Sequence, residues 1–344
     1  MRAITVSRYG PESNLQSQEV PHPEEPQGRD LLVRVKACSV NPVDVKVRAG
    51  TYDDYPDYYT LVTRPYQICG FDGAGKVIAT GPESTLFSVG DEVFYSGSPI
   101  RQGSNAEFQH VDERVVGHKP KSLNMVQAAA MPLTYVTAYE ALVERLQIQK
   151  GEQAAVLIIN GAGGVGAVAT QIAKRVLELP VVVTTASRNE TVNFSREMGA
   201  THVVNHHGDL GAAGAICRYI FIAHSTDRHL AACAKICAPF GKVCSIVQGQ
   251  VQMYGTEFMA KSLSFIWALL GTKSVYGVDQ ITHHETLGEL AQLADSGLIQ
   301  CHLTRELDLN VEGLREAHRL VGGGGVRGKV GLGIPQSKDF KPFT

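Results

Sequence analysis

The chain has 344 residues, of which 44% are hydrophobic and 19% are charged, and its formal net charge is −2. The length exceeds that of an average domain, and the composition is typical of a soluble globular protein with enough apolar residues for two cores. A near-neutral charge without long runs of Lys or Arg argues against a surface for nucleic acids or anionic membranes.

The first third of the chain is predicted to be rich in β-strands. Residues 1–6 alternate apolar and polar side chains, as a strand does, and lack the apolar core of a signal peptide. Residues 31–37 and 75–80 are predicted to be further strands, because Gly and Pro residues mark turns between them. No apolar run approaches the roughly 18 residues that a membrane-spanning helix needs.

From about residue 125 the pattern changes to alternating helices and strands. Strands are predicted over short apolar runs, which are residues 154–160, 181–186, 202–205, 219–223, 242–247 and 263–267. Helices are predicted over the longer stretches, which are residues 126–146, 165–179, 191–198 and 283–296. Such an alternation indicates βαβ units and a parallel sheet. The chain then returns to strands at 303–309 and 329–334, with a flexible turn at the four glycines 322–325.

The seven cysteines indicate the redox compartment of the protein. Their number is odd, they form no C-x-x-C pair, and most of them stand beside apolar residues. We therefore expect buried, reduced thiols and a cytoplasmic protein.

The strongest motif is a glycine-rich turn over residues 160–166, with G-x-G-x-x-G at Gly161, Gly163 and Gly166. An apolar strand precedes it and a helix follows, as in dinucleotide-binding units. Gly161 is expected to permit the tight turn, Gly163 to let the backbone approach a pyrophosphate, and Gly166 to allow close helix–strand packing. Gly164 and Val165 open a helix whose N-terminus presents N–H groups to the phosphates. An ordinary βα turn is the alternative.

The end of the next strand favours NADPH over NADH. An NADH site has an acid about 20 residues after the motif, which binds the ribose 2′-hydroxyl. Here Ser187 and Arg188 stand at the strand tip, and no acid comes before Glu190. An arginine and a hydroxyl suit a 2′-phosphate, which a carboxylate would repel. A solvated surface arginine remains the alternative for Arg188.

Taken together, the chain resembles the medium-chain dehydrogenase/reductase superfamily. Residues 41–44, 48–52, 70–75 and 161–166 resemble its quinone oxidoreductase branch. Five further segments resemble one subgroup, often labelled the zinc-binding alcohol dehydrogenase family: residues 103–108, 116–120, 132–134, 261–264 and 327–330. The resemblance implies an α/β fold, with a GroES-like β-rich domain over 1–124, a doubly wound Rossmann domain over 125–272 and a return segment over 273–344.

The zinc label of this subgroup can be compared with the sequence. In the zinc-dependent members the catalytic ligands are Cys, His or Glu, and Cys. Their positions fall here on Asn41, Phe71 and Leu133, and the four closely spaced cysteines of the structural site are missing from residues 94–108. We therefore expect zinc at neither site.

The resemblance also implies which residues contact the substrate. The amide of Asn41 is expected to face the nicotinamide and the substrate, although an Asn before a proline can simply cap a turn. Tyr52 resembles a pocket tyrosine that orients a carbonyl, or it packs within a Tyr-rich loop. Asp44 is expected to organise the loop by bonding Arg48 or backbone N–H groups. The long loop 52–66 suggests a specialised substrate.

Four further residues are implied to contact the cofactor. Thr137 resembles a residue that holds the carboxamide, and His206 follows the third strand, where the family often has a tyrosine beside the 2′-phosphate. His224 ends the fourth strand, at the edge where a nucleotide crevice forms. Lys329 resembles a basic residue that closes over the cofactor, or it is a surface lysine.

Without zinc, alcohol oxidation loses the metal that lowers the pKa of the alcohol. Hydride transfer to an activated acceptor needs less assistance. We therefore predict an NADPH-dependent reductase of a quinone or an α,β-unsaturated carbonyl. The alternatives are a zinc-free alcohol dehydrogenase or ketoreductase, and an NADPH-binding redox sensor or scaffold. A homodimer is expected through an outer strand, either 263–267 or 272–278, and the only other partner expected is a small-molecule substrate.

Overall fold

The chain divides into two units of structure. The computed structural model describes residues 1–52, 65–205, 207–335 and 340–344. The first unit contains residues 1–133, 271–297 and 301–344, and the second contains residues 134–270 with 298–300. Each unit is described by itself below.

The N-terminal part of the first unit consists mainly of strands, as predicted. They are β1 (Arg2–Val6), β2 (Leu15–Glu19), β3 (Asp30–Val40), β4 (Gln67–Ile68), β5 (Asp72–Thr80), β6 (Glu92–Ser96), β7 (Phe108–Asp112) and β8 (Val116–His118). Helix α1 (Pro42–Ala49) follows β3, and short 3₁₀ turns cover Glu12–Asn14 and Glu113–Val115. Strand β3 pairs antiparallel with both β5 and β7, so it lies inside its sheet.

The predicted helical region 126–146 is a series of shorter helices. Helix α2 (Met125–Ala129) is followed by α3 (Pro132–Tyr139) and a π-helical turn, Glu140–Arg145. A new helix starts at Pro132 because proline has no N–H to donate and suits the first position of a helix. Helix α2 packs against β3 and β5 of the first unit. The second unit therefore begins at residue 134 instead of the predicted 125.

The second unit is a doubly wound parallel sheet. Its strands are β9 (Ala155–Ile159), β10 (Val181–Thr185), β11 (His202–Val204), β12 (Cys217–Ile222), β13 (Cys237–Ser245) and β14 (Ser264–Trp267). Between them lie α4 (Gly164–Gln171, continued by the π-helical turn Ile172–Val176), α5 (Asn189–Glu197), the 3₁₀ turn Leu210–Ala213 and α6 (Thr226–Ile236).

The order of these strands confirms the predicted Rossmann arrangement. Along the described sheet the order is β11-β10-β9-β12-β13-β14, and every pair is parallel. The direction of winding reverses between β9 and β12, and ligands of such sheets bind beyond the carboxyl ends of the strands at that point. The glycine-rich turn follows β9 directly.

The C-terminal segment adds strands to the sheet of the first unit. It contains α7 (Gly271–Tyr276), α8 (Ile281–Asp295), β15 (Leu303–Asp308), α9 (Val311–Gly322) and β16 (Lys329–Gly333). In the described residues the sheet order is β15-β16-β3-β5-β6-β8, with β7 pairing with β3. Strand β16 pairs antiparallel with β3, and Val330 lies opposite Val40. This pairing brings Lys329 next to the end of β3.

Two local predictions were wrong or incomplete. Residues 272–278, a candidate outer strand, lie mostly in helix α7, because a short apolar run does not distinguish a helix from a strand. Helix α9 was not predicted. Its start is marked by the side chain of Asn310, which accepts from Gly313 N at 2.8 Å. Its last residue, Gly322, is the first of the four glycines predicted as a turn.

Two expectations from composition can be compared with the structure. All seven cysteines lie in described residues and are free thiols, six of them buried and Cys301 half-buried, which confirms the prediction of unpaired, largely buried cysteines. Among the described helices, none has both the length and the apolar character needed to cross a membrane.

Candidate active site

The end of β3 places Asn41 in a buried polar cluster. Asn41 is the N-cap of α1, and its backbone N–H donates to Asp44 Oδ2 at 2.8 Å. Its side-chain Nδ2 donates to Asp72 Oδ2 at 2.7 Å, and its Oδ1 accepts from the ammonium of Lys329. Only 1% of Asn41 is exposed. The side-chain amide therefore bonds within the cluster, while the backbone N–H bonds within the turn that begins helix α1.

Asp44 organises the loop through backbone groups. Its Oδ1 accepts from the N–H groups of Gly70 and Phe71 at 2.9 and 3.1 Å, and its Oδ2 accepts from Asn41. Burial raises the pKa of Asp44 to about 6, although these N–H groups favour the charged form. Asp44 was expected to bond either Arg48 or backbone N–H groups, and its observed partners are backbone N–H groups. The guanidinium of Arg48 donates instead to Gly10 O and His318 Nδ1.

Asp72, the first residue of β5, is the centre of the cluster. Its Oδ2 accepts from Ser39 Oγ at 2.7 Å, from Asn41 Nδ2 and from Lys329 Nζ at 3.1 Å. Its Oδ1 accepts from Leu133 N at 2.8 Å, and the residue is fully buried. We did not select Asp72 from the sequence. The signal that could have identified Asp72 is its position directly after Phe71, which the resemblance assigns to a zinc ligand.

Lys329 belongs to the same cluster. Its ammonium donates to Val40 O at 3.1 Å, to Asn41 Oδ1 at 2.5 Å and to Asp72 Oδ2, and only 3% of the residue is exposed. An ammonium has three N–H groups, and three acceptors surround it. The expectation of a surface lysine is therefore wrong, and these contacts occupy the donors that a cofactor phosphate would need.

The residues of this cluster do not fit a catalytic zinc ion. The three positions that the resemblance assigns to zinc ligands do come together, since Asn41 and Leu133 both bond Asp72 and Phe71 precedes it. However, these residues supply no thiolate or imidazole, and the cluster already contains the cation of Lys329. In the described ranges, no group of three or more His, Cys, Asp or Glu side chains is placed to hold a metal.

The glycine-rich turn after β9 packs closely against the strand and leads into helix α4. At Gly166 a Cβ would lie 2.0 Å from Asn160 O, so only glycine allows this contact between helix and strand. Gly163, Gly164 and Val165 are half-exposed, and no side chain caps the helix that begins there. Its first N–H groups are therefore available to an anion, as a dinucleotide pyrophosphate requires.

One role within the turn differs from the prediction. The residue with positive φ is Asn160, at 68°, and not Gly161. A Cβ on Gly161 would lie 2.4 Å from Thr184 Cβ of the neighbouring strand β10. The glycine at this position is thus required by strand packing and not by the backbone angle of the turn.

The carboxyl ends of β10 and β12 carry the other predicted cofactor residues. Ser187 is exposed, and the side chain of Arg188 is 52% exposed and pairs with Glu190 through Nε and Oε1 at 3.2 Å. At the end of β12, the exposed His224 bonds Ser225 through Nδ1 and Oγ at 2.7 Å. Since β9, β10 and β12 are adjacent and parallel, these residues follow the same edge of the sheet as the glycine turn.

The remaining predicted residues are Thr137, Tyr52 and His206. Thr137 is buried within α3, with 7% exposure. The ring centre of Tyr52 lies 6.0 Å from the ammonium of Lys46. His206 and residues 53–64 of the long loop lie outside the described residues.

Comparison with protein families gives two matches. Residues 27–143 match the alcohol dehydrogenase GroES-like domain, and residues 198–331 match the zinc-binding dehydrogenase family. A solved structure from Rhizobium etli, of a protein described as a zinc-dependent alcohol dehydrogenase, is 40% identical. It superposes with a TM-score of 0.89 over 98% of this chain and 99% of that one. The sequence identity and the structural superposition therefore point to the same relative.

Three curated relatives carry the names of more specific enzyme types. A zinc-type alcohol dehydrogenase-like protein of Staphylococcus aureus strain COL is 38% identical over 90% of this chain and 92% of the relative. A quinone oxidoreductase of Lama guanicoe is 37% identical over 61% of this chain and 60% of the relative. The chloroplastic NADPH-dependent alkenal/one oxidoreductase of Arabidopsis thaliana is 36% identical over 60% of this chain and 52% of the relative.

Proposed function

Because this chain is an oxidoreductase of the medium-chain dehydrogenase/reductase superfamily, we propose that it reduces a quinone or an α,β-unsaturated carbonyl with NADPH and without zinc. The observation that carries this proposal is the buried cluster around Asp72, in which the Lys329 ammonium stands among the positions of the zinc ligands. An activated acceptor needs no metal to polarise it. The quinone and alkenal/one oxidoreductases among the partial relatives support the same class of substrate.

NADPH is the cofactor in this proposal, and when bound it supplies the hydride. The residues of the second unit fit a dinucleotide, because the half-exposed helix start at Gly164 and Val165 offers uncapped N–H groups to the pyrophosphate. We propose that Ser187 and Arg188 donate to the 2′-phosphate. Thr137 and His224 remain proposed cofactor residues.

At the substrate, Asn41 is the proposed donor. Its Nδ2 carries two N–H groups and gives one to Asp72. We propose that the other N–H donates to the oxygen on which negative charge develops as the acceptor takes the hydride. Tyr52 is proposed to orient the carbonyl. The proton that completes the reduction comes from solvent, so the scheme uses no obligate acid–base side chain.

The test of this function is NADPH oxidation, followed at the nicotinamide absorbance band with a panel of acceptors. The panel contains a 1,4-quinone, several enones and a simple ketone, with NADH and a metal chelator as controls. We expect turnover with the quinone or an enone that the chelator does not change. Turnover with simple ketones alone would favour the ketoreductase alternative, and loss of activity with chelator would overturn the zinc-free assignment. Tight NADPH binding without any turnover would favour a sensor or scaffold.

The role of Arg188 gives a separate prediction. Replacing it with alanine removes a charge-assisted bond to the 2′-phosphate, of about 1.5–3 kcal/mol. We expect KM for NADPH to rise roughly 10- to 100-fold while KM for NADH stays within about twofold. Steady-state kinetics with both cofactors measures this, and Arg196→Ala, on helix α5 of the same unit, is the matched control. Equal changes for the two cofactors would show that Arg188 does not recognise the 2′-phosphate.

Assembly and location are further proposals. Strand β14 is the last strand of its described sheet, and Trp267 on it is 43% exposed. We propose a homodimer that covers this edge, and a monomer in light scattering at micromolar concentration would contradict it. The free, largely buried thiols support a reducing, cytoplasmic location, which fluorescence microscopy of a tagged chain in its host would test.

A further inference from the structure

We propose that Lys329 is a positioning residue for the reaction. It orients the amide of Asn41 and cancels the charge of Asp72 beside the oxygen of the acceptor. This inference rests on the proposed function, because it assumes that Asn41 donates to the substrate. It assigns to Lys329 a role toward the substrate in place of the cofactor contact that the resemblance implied.

The hydrogen bonds determine which end of the Asn41 amide is which. An ammonium only donates, so the atom that it meets at 2.5 Å must be the amide oxygen. A carboxylate only accepts, so the atom that meets Asp72 Oδ2 at 2.7 Å must be the amide nitrogen. Lys329 and Asp72 together therefore hold the amide in one orientation. Without Lys329, the amide oxygen loses this donor and the amide can rotate.

Charge gives Lys329 a second effect. Asp72 is fully buried, and Lys329 pairs with it at 3.1 Å with only 3% of its own side chain exposed. A buried carboxylate without this partner would oppose the negative charge that develops on the acceptor during hydride transfer. With the ammonium in place the pair is neutral, and the N–H of Asn41 can stabilise that charge.

Stability alone is a poor explanation for this pair. Burying two charges costs desolvation that their attraction does not reliably return, and apolar replacements of such pairs are often neutral or stabilising. A direct bond from Lys329 to a cofactor phosphate is equally unsupported, since Val40 O, Asn41 Oδ1 and Asp72 Oδ2 take its three N–H groups. A role through Asn41 and Asp72 accounts for both of its side-chain contacts.

The test compares two variants of the full-length protein, Lys329→Met and Lys329→Met with Asp72→Asn. In the single variant kcat with the accepted quinone or enone should fall at least tenfold, while the Kd for NADPH, from fluorescence titration, stays within twofold. In the double variant the unpaired charge is gone but the Asn41 amide still lacks the Lys329 donor, so kcat should rise above that of the single variant and remain below that of the wild type. Lys119→Met is the control, because Lys119 also donates to backbone carbonyls in the same unit, outside the cluster.

An NMR measurement keeps this inference separate from the proposed function. The side-chain amide signal of Asn41 can be assigned by its loss in Asn41→Asp, and its two proton shifts should change in Lys329→Met but not in Lys119→Met. Thermal melting of every variant shows whether it is folded. An unchanged amide signal, an unchanged kcat, a double variant no faster than the single one, or an NADPH Kd that rises with the loss of kcat would each overturn the role. If the wild type reduces no acceptor, the proposed function fails, and the amide signal still decides whether Lys329 orients Asn41.

Discussion

Replacing Gly166 with alanine is expected to lower the free energy of unfolding by about 3 kcal/mol and to weaken NADPH binding about tenfold or more. The added Cβ would lie 2.0 Å from Asn160 O and 2.9 Å from Gly161 Cα. Both are backbone atoms, so the contact is relieved only if α4 moves away from β9. That movement displaces the helix N-terminus that is proposed to hold the pyrophosphate. Urea unfolding and fluorescence titration with NADPH measure the two effects.

A matched control exists on helix α8. At Gly288 a Cβ would meet nothing within 4 Å. Alanine at that position should stabilise the protein slightly, by up to about 1 kcal/mol, because alanine has the higher helix propensity. If Gly166→Ala behaved like Gly288→Ala in both measurements, the close packing of the turn would not be required for either property.

Replacing Asn41 with alanine is expected to lower kcat by roughly 10²- to 10³-fold, the loss typical of one donor to a developing oxyanion. The Kd for NADPH should stay within about threefold, because Asn41 is proposed to donate to the acceptor and not to the phosphates of the cofactor. Stopped-flow measurement of the first turnover, with the accepted quinone or enone, separates the chemical step from product release.

The control for this variant is Asn124→Ala. Asn124 caps α2 through a bond from Gln127 N at 2.9 Å and lies outside the cluster. Its loss should cost about 1 kcal/mol of stability without changing kcat. If kcat of Asn41→Ala remained near the wild-type value at a comparable loss of stability, Asn41 would serve the fold alone, and the donor assigned to the substrate would have to be another group.

Much of the fold could be predicted because the sequence patterns that indicate its strands, helices and turns are local. The six strands of the second unit are short apolar runs between helices, and the glycine-rich turn follows the first of them. Where a rule of this kind was ambiguous the prediction failed, as at residues 272–278, which are too short and irregular to separate helix from strand. Helix α9 carries a usable signal in Asn310 with Val311, Leu314 and Ala317 at helical spacing, and this signal was missed.

The candidate site was predictable only in part. Asn41 and Asp44 were found through their motif, as was the glycine turn, but the partners of Asn41 were not. The role expected of Gly161 also differed, because its close neighbour is Thr184 on another strand. A motif identifies the residues of one segment, whereas the contacts of each side chain depend on segments that the motif does not contain.

The alternation of strands and helices and the glycine-rich turn could be predicted from the sequence alone, and the resemblance assigned Asn41, Phe71 and Leu133 to the positions of zinc ligands. The side chains that surround those positions are seen only in the folded chain. Lys329 and Asp72 are 257 residues apart in the chain. They meet because β16 and β5 both pair with β3, on opposite sides of that strand. Such pairing depends on the burial of whole sheet faces, and no pattern within either short strand specifies it.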